Sequence, residues 1–191
     1  MNKKIIIIAG YLASGKSTFA LRLSKELNIP YFIKDTFKSA ICTNIPITDR
    51  DESKRFSVAT FDAITYVTER LMETGYPLII EGNFEMNCDF KANEGNVLKT
   101  LIKKYEYQSL TYIFYGDTRE MYNRFIDREK LPERGQANQI LSELSYEDFD
   151  KWIKPLGDFT VGGKTIRIDT TNFNTVDFES HIETAREFII S

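Results

Sequence analysis

Several residues in this chain have the types and spacing for chemistry, and the sharpest group comes first. Gly10, Gly15, Lys16 and Ser17 fit G-x-x-x-x-G-K-[ST] at every fixed position. A chance match in a chain of this length has odds on the order of one in two hundred. The context adds weight, because the pattern follows an apolar run and opens a helical one. Two glycines let a backbone wrap tightly and turn successive N–H groups inward, which makes a nest for an anion. The helix N-terminus behind them supplies fixed positive potential. Lys16 offers a mobile point charge suited to the β- and γ-phosphates of a nucleotide, and the Ser17 hydroxyl suits a magnesium ion. Gly10, Ala13, Ser14, Gly15, Lys16, Ser17 and Thr18 are therefore the expected nucleotide-binding residues. The alternative is a glycine-rich turn with no ligand, and motif and context together disfavour it.

Two carboxylates stand where such a loop could use them. Asp35 ends the segment 31–34, which reads as a second strand lying beside the first. A carboxylate at that edge can take a proton from an acceptor hydroxyl and orient it for in-line attack. Its bland alternative is the N-cap of a helix over 36–42. Glu81 ends the run Leu78-Ile79-Ile80. It reads either as a carboxylate that holds magnesium through water, which suits an ion that keeps much of its hydration shell, or as a solvated strand end.

Arginines form the next group. Arg124 and Arg128 are four apart on one helical face, Arg119 begins that helix, and Arg134 follows in the breaker-rich segment Leu131-Pro132-Glu133-Arg134-Gly135. Guanidinium forks aimed at the equatorial oxygens of a transferring phosphoryl group stabilise its charge by several kcal/mol, roughly 10³–10⁵ in rate. A loop that carries them in also excludes water. Against this, Asp127, Glu129 and Glu133 could pair with the same arginines on a solvated face. The lone His181 reads as a surface residue, and Phe37, Phe56, Phe61 and Tyr66 as core or pocket wall.

The elements that must position these groups alternate. Residues 3–9 (KKIIIIA) are a β-branched run typical of a strand buried on both faces of a parallel sheet. A helix follows Lys16 and is closed by Pro30. A long helix from about 50 to 74 has its apolar stripe at Phe56, Ala59, Ala63, Val67 and Leu71. Strands are expected at 78–80, 110–115 and 165–169, and helices at about 97–105, 119–129, 139–153 and 176–190. Strand–helix alternation predicts an α/β chain with a parallel sheet and right-handed crossovers, in which functional loops gather at the strands' carboxyl ends.

Composition bounds the rest. A chain of 191 residues fits a single domain, here 1–191, and its 42% hydrophobic and 28% charged residues exclude intrinsic disorder. A net charge of −3 and a pI near 5.4 disfavour a large polynucleotide partner. Cys42 and Cys88 stand apart from any metal-binding companion, which excludes a disulfide framework or zinc site and fits a reducing cytosol. The opening apolar run is interrupted by Gly10 too soon for a signal peptide, and none is long enough for a membrane span. The chain therefore reads as cytoplasmic and complete from residue 1. It holds no N/T-K-x-D tetrapeptide of the common GTPases, and the run ending at Glu81 has a single acid where motor ATPases usually have Asp or Asp-Glu.

The stretches Gly10–Thr18, Asp35-Thr36-Phe37-Lys38, Leu78-Ile79-Ile80-Glu81-Gly82-Asn83-Phe84, Arg124-x-x-x-Arg128 and Ile168-Asp169-Thr170-Thr171 together resemble the small P-loop kinases. The likeness is to the group that holds zeta toxins, chloramphenicol phosphotransferase, polynucleotide 5′-hydroxyl kinases, and gluconate and shikimate kinases. That resemblance implies a three-layer P-loop fold, a five-stranded parallel sheet flanked by helices, with a small arginine-bearing lid at about 124–140. It implies that Lys16 and Ser17 meet phosphate and magnesium, that Asp35 lies near the acceptor hydroxyl, that Arg124 and Arg128 touch phosphates or stack on adenine, and that the stretch at Thr170 lies near adenine. Many relatives have D-x-F-R where this chain has Lys38, so a bidentate anion clamp is replaced by a point charge. A further Arg-His pattern of lidded relatives is absent beside Arg134.

The expectation is then an ATP- and magnesium-dependent kinase acting on a hydroxyl of a small molecule, monomeric or homodimeric, with no membrane partner. Lys16, Asp35, Arg124 and Arg128 are its expected catalytic residues, and Ser17 and Glu81 its metal residues. The acceptor is expected against the 36–60 region, including Lys38, and the loop Asn83–Asp89, with Asp35. The rivals are a polynucleotide 5′-hydroxyl kinase and a nucleotide-binding regulatory or toxin-like module without efficient turnover.

Overall fold

The computed structural model describes residues 3–45, 47–86, 93–129 and 144–191. The isoleucine run becomes β1 (Lys4–Gly10), and Ile5, Ile6, Ile7 and Ile8 are fully buried. Side chains alternate across a strand, so Ile5 and Ile7 face one core while Ile6 and Ile8 face another. Each such burial contributes about 1.5–3 kcal/mol, and the pattern allows only a central strand covered on both sides.

From β1 the chain runs through α1 (Lys16–Leu27), β2 (Tyr31–Ile33), α2 (Lys34–Cys42), α3 (Arg50–Glu73), β3 (Leu78–Glu81), α4 (Glu94–Tyr105) and β4 (Gln108–Tyr115). Then come α5 (Thr118–Glu129), α6 (Tyr146–Ile153), a 3₁₀ turn (Lys154–Asp158), β5 (Lys164–Asp169), a second such turn (Phe173–Thr175) and α7 (Phe178–Ile190). All strand pairs are parallel, in the order β2-β3-β1-β4-β5. The expected α/β class with a five-stranded parallel sheet is thus realised, with helices on both faces. Phe61, Ile64 and Met72 of α3 with Leu98, Leu101 and Ile102 of α4 cover one face. Phe19 and Leu23 of α1 with Ile182 and Ala185 of α7 cover the other. A third cluster, Met121, Phe125, Phe149 and Ile153, joins α5 to α6 beside Leu12 of the loop that follows β1.

Several expectations need correction. The second strand lies beside β3, not β1. The four residues of β3 are all buried, which demands neighbours on both sides, whereas the half-buried, three-residue β2 suits an edge. That strand stops at Ile33, so Asp35 sits inside the first turn of α2 and Ile33 occupies the cap position; the N-cap alternative for Asp35 falls. On α3 the buried stripe is Thr60, Phe61, Ile64, Thr68 and Met72, about one position beyond the expected one. Tyr66 is 62% exposed and belongs to neither core nor pocket wall. His181 is half-buried, its ring edge against Tyr112, and desolvation lowers its pKa, so it is not a plain surface residue. The last helix begins at Phe178, capped by Asp177, whose side chain accepts from the Ser180 N–H. The expected helical residues 139–143 lie outside the described residues.

Candidate active site

The segment after β1 is shaped by three residues in the left-handed region: Gly10 (φ 114°), Ala13 (56°) and Gly15 (88°). At Gly10 the requirement is absolute, because a Cβ there would collide with the Phe114 carbonyl of β4 while the Tyr11 N–H donates to that same oxygen at 2.8 Å. Gly15 ends the loop and α1 begins at Lys16, so the loop runs directly into a helix N-terminus, whose first amides have no partner within the helix and favour an anion. Buried Ser14 donates its hydroxyl to the Tyr11 carbonyl at 2.6 Å, and the Lys16 ammonium donates to the same oxygen at 2.5 Å. Thr18 is exposed in the first turn of α1.

The sheet order brings Glu81 to this loop. Ile8 of β1 is the register partner of Glu81, and on the other side Ile33 of β2 is its partner too. Glu81 is 4% exposed, so the solvated-strand-end alternative does not hold. Its Oε2 accepts the Ser17 hydroxyl at 2.8 Å, and its Oε1 stands 4.0 Å from Lys16 Nζ. Desolvation is the largest influence on both partners and acts against charge. It pushes the Glu81 carboxyl up to about 7, with the Asp35 charge adding to the rise and Lys16 and Ser17 opposing it. It lowers the Lys16 ammonium against the attraction of Glu81 and Asp35. Both groups feel Asp35 and Arg128, so two carboxylates, a lysine and an arginine converge at the carboxyl ends of β1, β2 and β3.

The other predicted residues fall in distinct places. Arg124, one turn before Arg128 on α5, donates to the Thr170 carbonyl at 2.7 Å and the Thr171 carbonyl at 2.6 Å, just beyond β5. Its guanidinium lies 4.2 Å from the ring centre of Phe173. Thr170 is buried, with its hydroxyl and N–H both donating to the Tyr115 carbonyl, so only its main chain is turned to Arg124. Lys38 donates to the Ser53 hydroxyl at 2.7 Å and the Ser57 hydroxyl at 3.0 Å, tying α2 to α3. Asn83 is half-buried two residues beyond Glu81. Arg119 lies 3.3 Å from the ring centre of Tyr146, on the α5–α6 junction. Arg134, lid residues 130–140 and residues 87–89 of the expected acceptor loop lie outside the described residues.

Phe173 escaped the sequence reading. It is 38% exposed, and a Cβ on Gly15 would come within 2.9 Å of its ring. A bulky apolar residue four positions past a strand end was the available signal. A shallow groove of about 370 Å³ at the amino ends of β4 and β5, lined by Tyr107, Gln108, Gly163 and Lys164, holds none of the residues above.

Comparison with known proteins gives the fold a name. Neither a protein-family model nor a curated protein sequence matches the chain. Solved structures do. A candidate kinase from Chloroflexus aurantiacus is similar at a TM-score of 0.85 and 19% identity, over 98% of this chain and 99% of that one. The APS kinase of Mycobacterium tuberculosis, solved with AMPPNP and APS, gives 0.60 and 12%, over 100% and 99%. Shikimate kinase from Bacteroides thetaiotaomicron gives 0.54 and 13%, over 98% of both chains. The architecture is the P-loop-kinase-like fold. Among the described residues no helix is long and apolar enough to cross a membrane.

Proposed function

We propose that the chain is a magnesium-dependent kinase that moves the γ-phosphoryl group of ATP to a hydroxyl of a small molecule. The observation that carries this reading is the convergence of Lys16, Ser17 and Glu81, with Asp35 and Arg128 in electrostatic reach, beside a nest of main-chain amides. Fold likeness to a shikimate kinase and an APS kinase supports the acceptor class.

The donor set fits magnesium. Among the described residues there is no group of three or more His, Cys, Asp or Glu that could cage a metal. An ion that keeps its waters and leans on phosphate oxygens needs none; a hydroxyl (Ser17) and a buried carboxylate behind it (Glu81) suffice. When bound, the ion neutralises charge on the β- and γ-phosphate oxygens.

The protein's own residues do the remainder. Main-chain amides of Ala13, Ser14, Gly15 and Lys16 grip the phosphates, and Lys16 leaves the Tyr11 carbonyl for the β- and γ-oxygens. The Asp35 carboxylate accepts the acceptor's hydroxyl proton as that oxygen bonds to the γ-phosphorus. The bond from phosphorus to the β,γ-bridging oxygen breaks, and ADP leaves with the electron pair. Arg128, in electrostatic reach of Lys16 and Glu81, stabilises the equatorial charge as it develops. Arg124 has donors committed to the Thr170 and Thr171 carbonyls, so it acts through its flat face, on which the base stacks beside Phe173.

The test is transfer of label from [γ-³²P]ATP across sugars, polyols, hydroxy acids, nucleosides and short oligonucleotides. Labelling of a small hydroxyl compound is expected. Labelling of oligonucleotide ends alone, or tight ATP binding with no labelled acceptor, overturns the reading in favour of a polynucleotide kinase or a non-catalytic module.

A further inference from the structure

At the carboxyl ends of β2 and β3 lies a buried ion pair that the proposed mechanism leaves without a role. Lys34 Nζ donates to Glu94 Oε1 at 2.6 Å, and their side chains are 6% and 0% exposed. A dry pair of this kind is weak as a source of stability, since apolar residues of similar volume often serve as well or better. Its position is more informative than its energy.

Lys34 is the first residue of α2 and the immediate neighbour of Asp35. The Ile33–Glu81 register places it level with Gly82, where a Cβ would press within 3.1 Å of the Lys34 Cβ and of the Phe84 ring. Its ammonium lies 5.6 Å from the ring centre of Phe61 and 5.9 Å from that of Phe84, so it meets the Glu94 carboxylate between aromatic walls. Glu94 is the first residue of α4, and it holds the strand exit twice. Its Oε2 accepts the Glu85 N–H at 3.1 Å, and its own N–H donates to the Glu85 carbonyl at 3.1 Å. At Gly95 the lack of a side chain makes room for Met86. One ion pair therefore joins the base of Asp35 to the chain leaving Glu81, across the two strand ends that carry the site's carboxylates.

We propose that Lys34 and Glu94 are positioning residues for phosphoryl transfer: their pair fixes Asp35 relative to Glu81 and clamps residues 83–86 as the floor of the acceptor side. This rests on the kinase reading above, and the test separates the two. Misplacing a catalytic group by about 1 Å can cost about 10²-fold in rate, so the effect belongs in kcat and not in nucleotide binding.

The informative variant is Lys34→Met with Glu94→Leu, which removes both charges and keeps the volume. Thermal unfolding, MgATP affinity by calorimetry, and labelled-phosphate transfer to the panel above and to water are measured together. The double variant is expected to stay folded and bind MgATP within threefold of wild type, with kcat at least 30-fold lower. Glu94→Gln, which keeps an acceptor for the Glu85 N–H, is the second variant; it is expected to lose about tenfold in kcat at unchanged KM for MgATP. Transfer within threefold of wild type in either folded variant overturns the positioning role and leaves the kinase reading intact. A wild-type protein that transfers label to no hydroxyl compound overturns the kinase reading, and the positioning role falls with it.

Discussion

Replacing Glu81 by glutamine should make the ligand-free protein more stable at neutral and alkaline pH. The folded carboxyl titrates near 7, whereas an ordinary glutamic acid does so near 4.5. Between those values the native state keeps a proton that the unfolded chain has released. Stability from this group is therefore complete below about pH 4.5, declines as pH rises toward 7, and is gone above it. At about 1.4 kcal/mol per pH unit, that interval sets a ceiling of roughly 3 kcal/mol on the loss. Glutamine has no proton to lose and keeps an oxygen for the Ser17 hydroxyl. Urea unfolding of both proteins at steps from about pH 5 to 8 gives the difference directly, because contributions common to both cancel. The gap in favour of Glu81→Gln should open with pH and level off above 7. Saturating MgATP should then close or reverse it, since the ion favours the ionised carboxylate that the variant lacks. Parallel stability curves across the whole range would refute the argument that burial dominates the electrostatics of this carboxylate.

Asp35→Asn should lower phosphoryl transfer about 10²–10⁴-fold, the usual worth of a general base, while calorimetry finds ATP affinity nearly unchanged. An unaltered transfer rate would remove Asp35 from the mechanism. Gly10→Ala should destabilise the fold by about 1–3 kcal/mol and abolish measurable ATP binding, because φ is positive there and a Cβ meets the Phe114 carbonyl; chemical unfolding and calorimetry read both effects. Arg124→Lys retains the charge but not the flat, doubly bonded guanidinium over Phe173. ATP affinity should fall about tenfold, with a smaller change for inorganic triphosphate, which has no base to stack.

The parts of this molecule that were readable in the chain are those dictated locally. Four consecutive isoleucines allow little but a central strand, and the glycines at 10 and 15 announce the backbone angles the loop adopts. The partner of β2 was not readable, because a short apolar segment encodes its pattern but not its neighbour. On α3 the stripe was misplaced because Thr60 and Thr68, polar by type, are buried along with Phe61, Ile64 and Met72. Glu81 could be picked out as a strand-end acid, yet its burial follows from strands on both sides, a property of the sheet. Lys34 and Glu94 are sixty positions apart and become a pair only when the fold brings the starts of α2 and α4 together. The placement of Arg124 is tertiary too, since both of its carbonyl partners lie just beyond β5, the strand next to β4, forty-six and forty-seven positions along the chain.

The bond from the Lys16 ammonium to the Tyr11 carbonyl bears on which anions can occupy the loop. A vacant loop that held its lysine extended would be a general trap for sulfate or orthophosphate, both abundant in cells. Here the cation is already satisfied inside its own turn, so a visitor must replace an existing contact and gains only the difference. Under the kinase reading proposed above, a chain of three linked phosphates would reach the loop, the helix start and the lysine at once, so the contact to the Tyr11 carbonyl would favour the longer anion before any base is recognised.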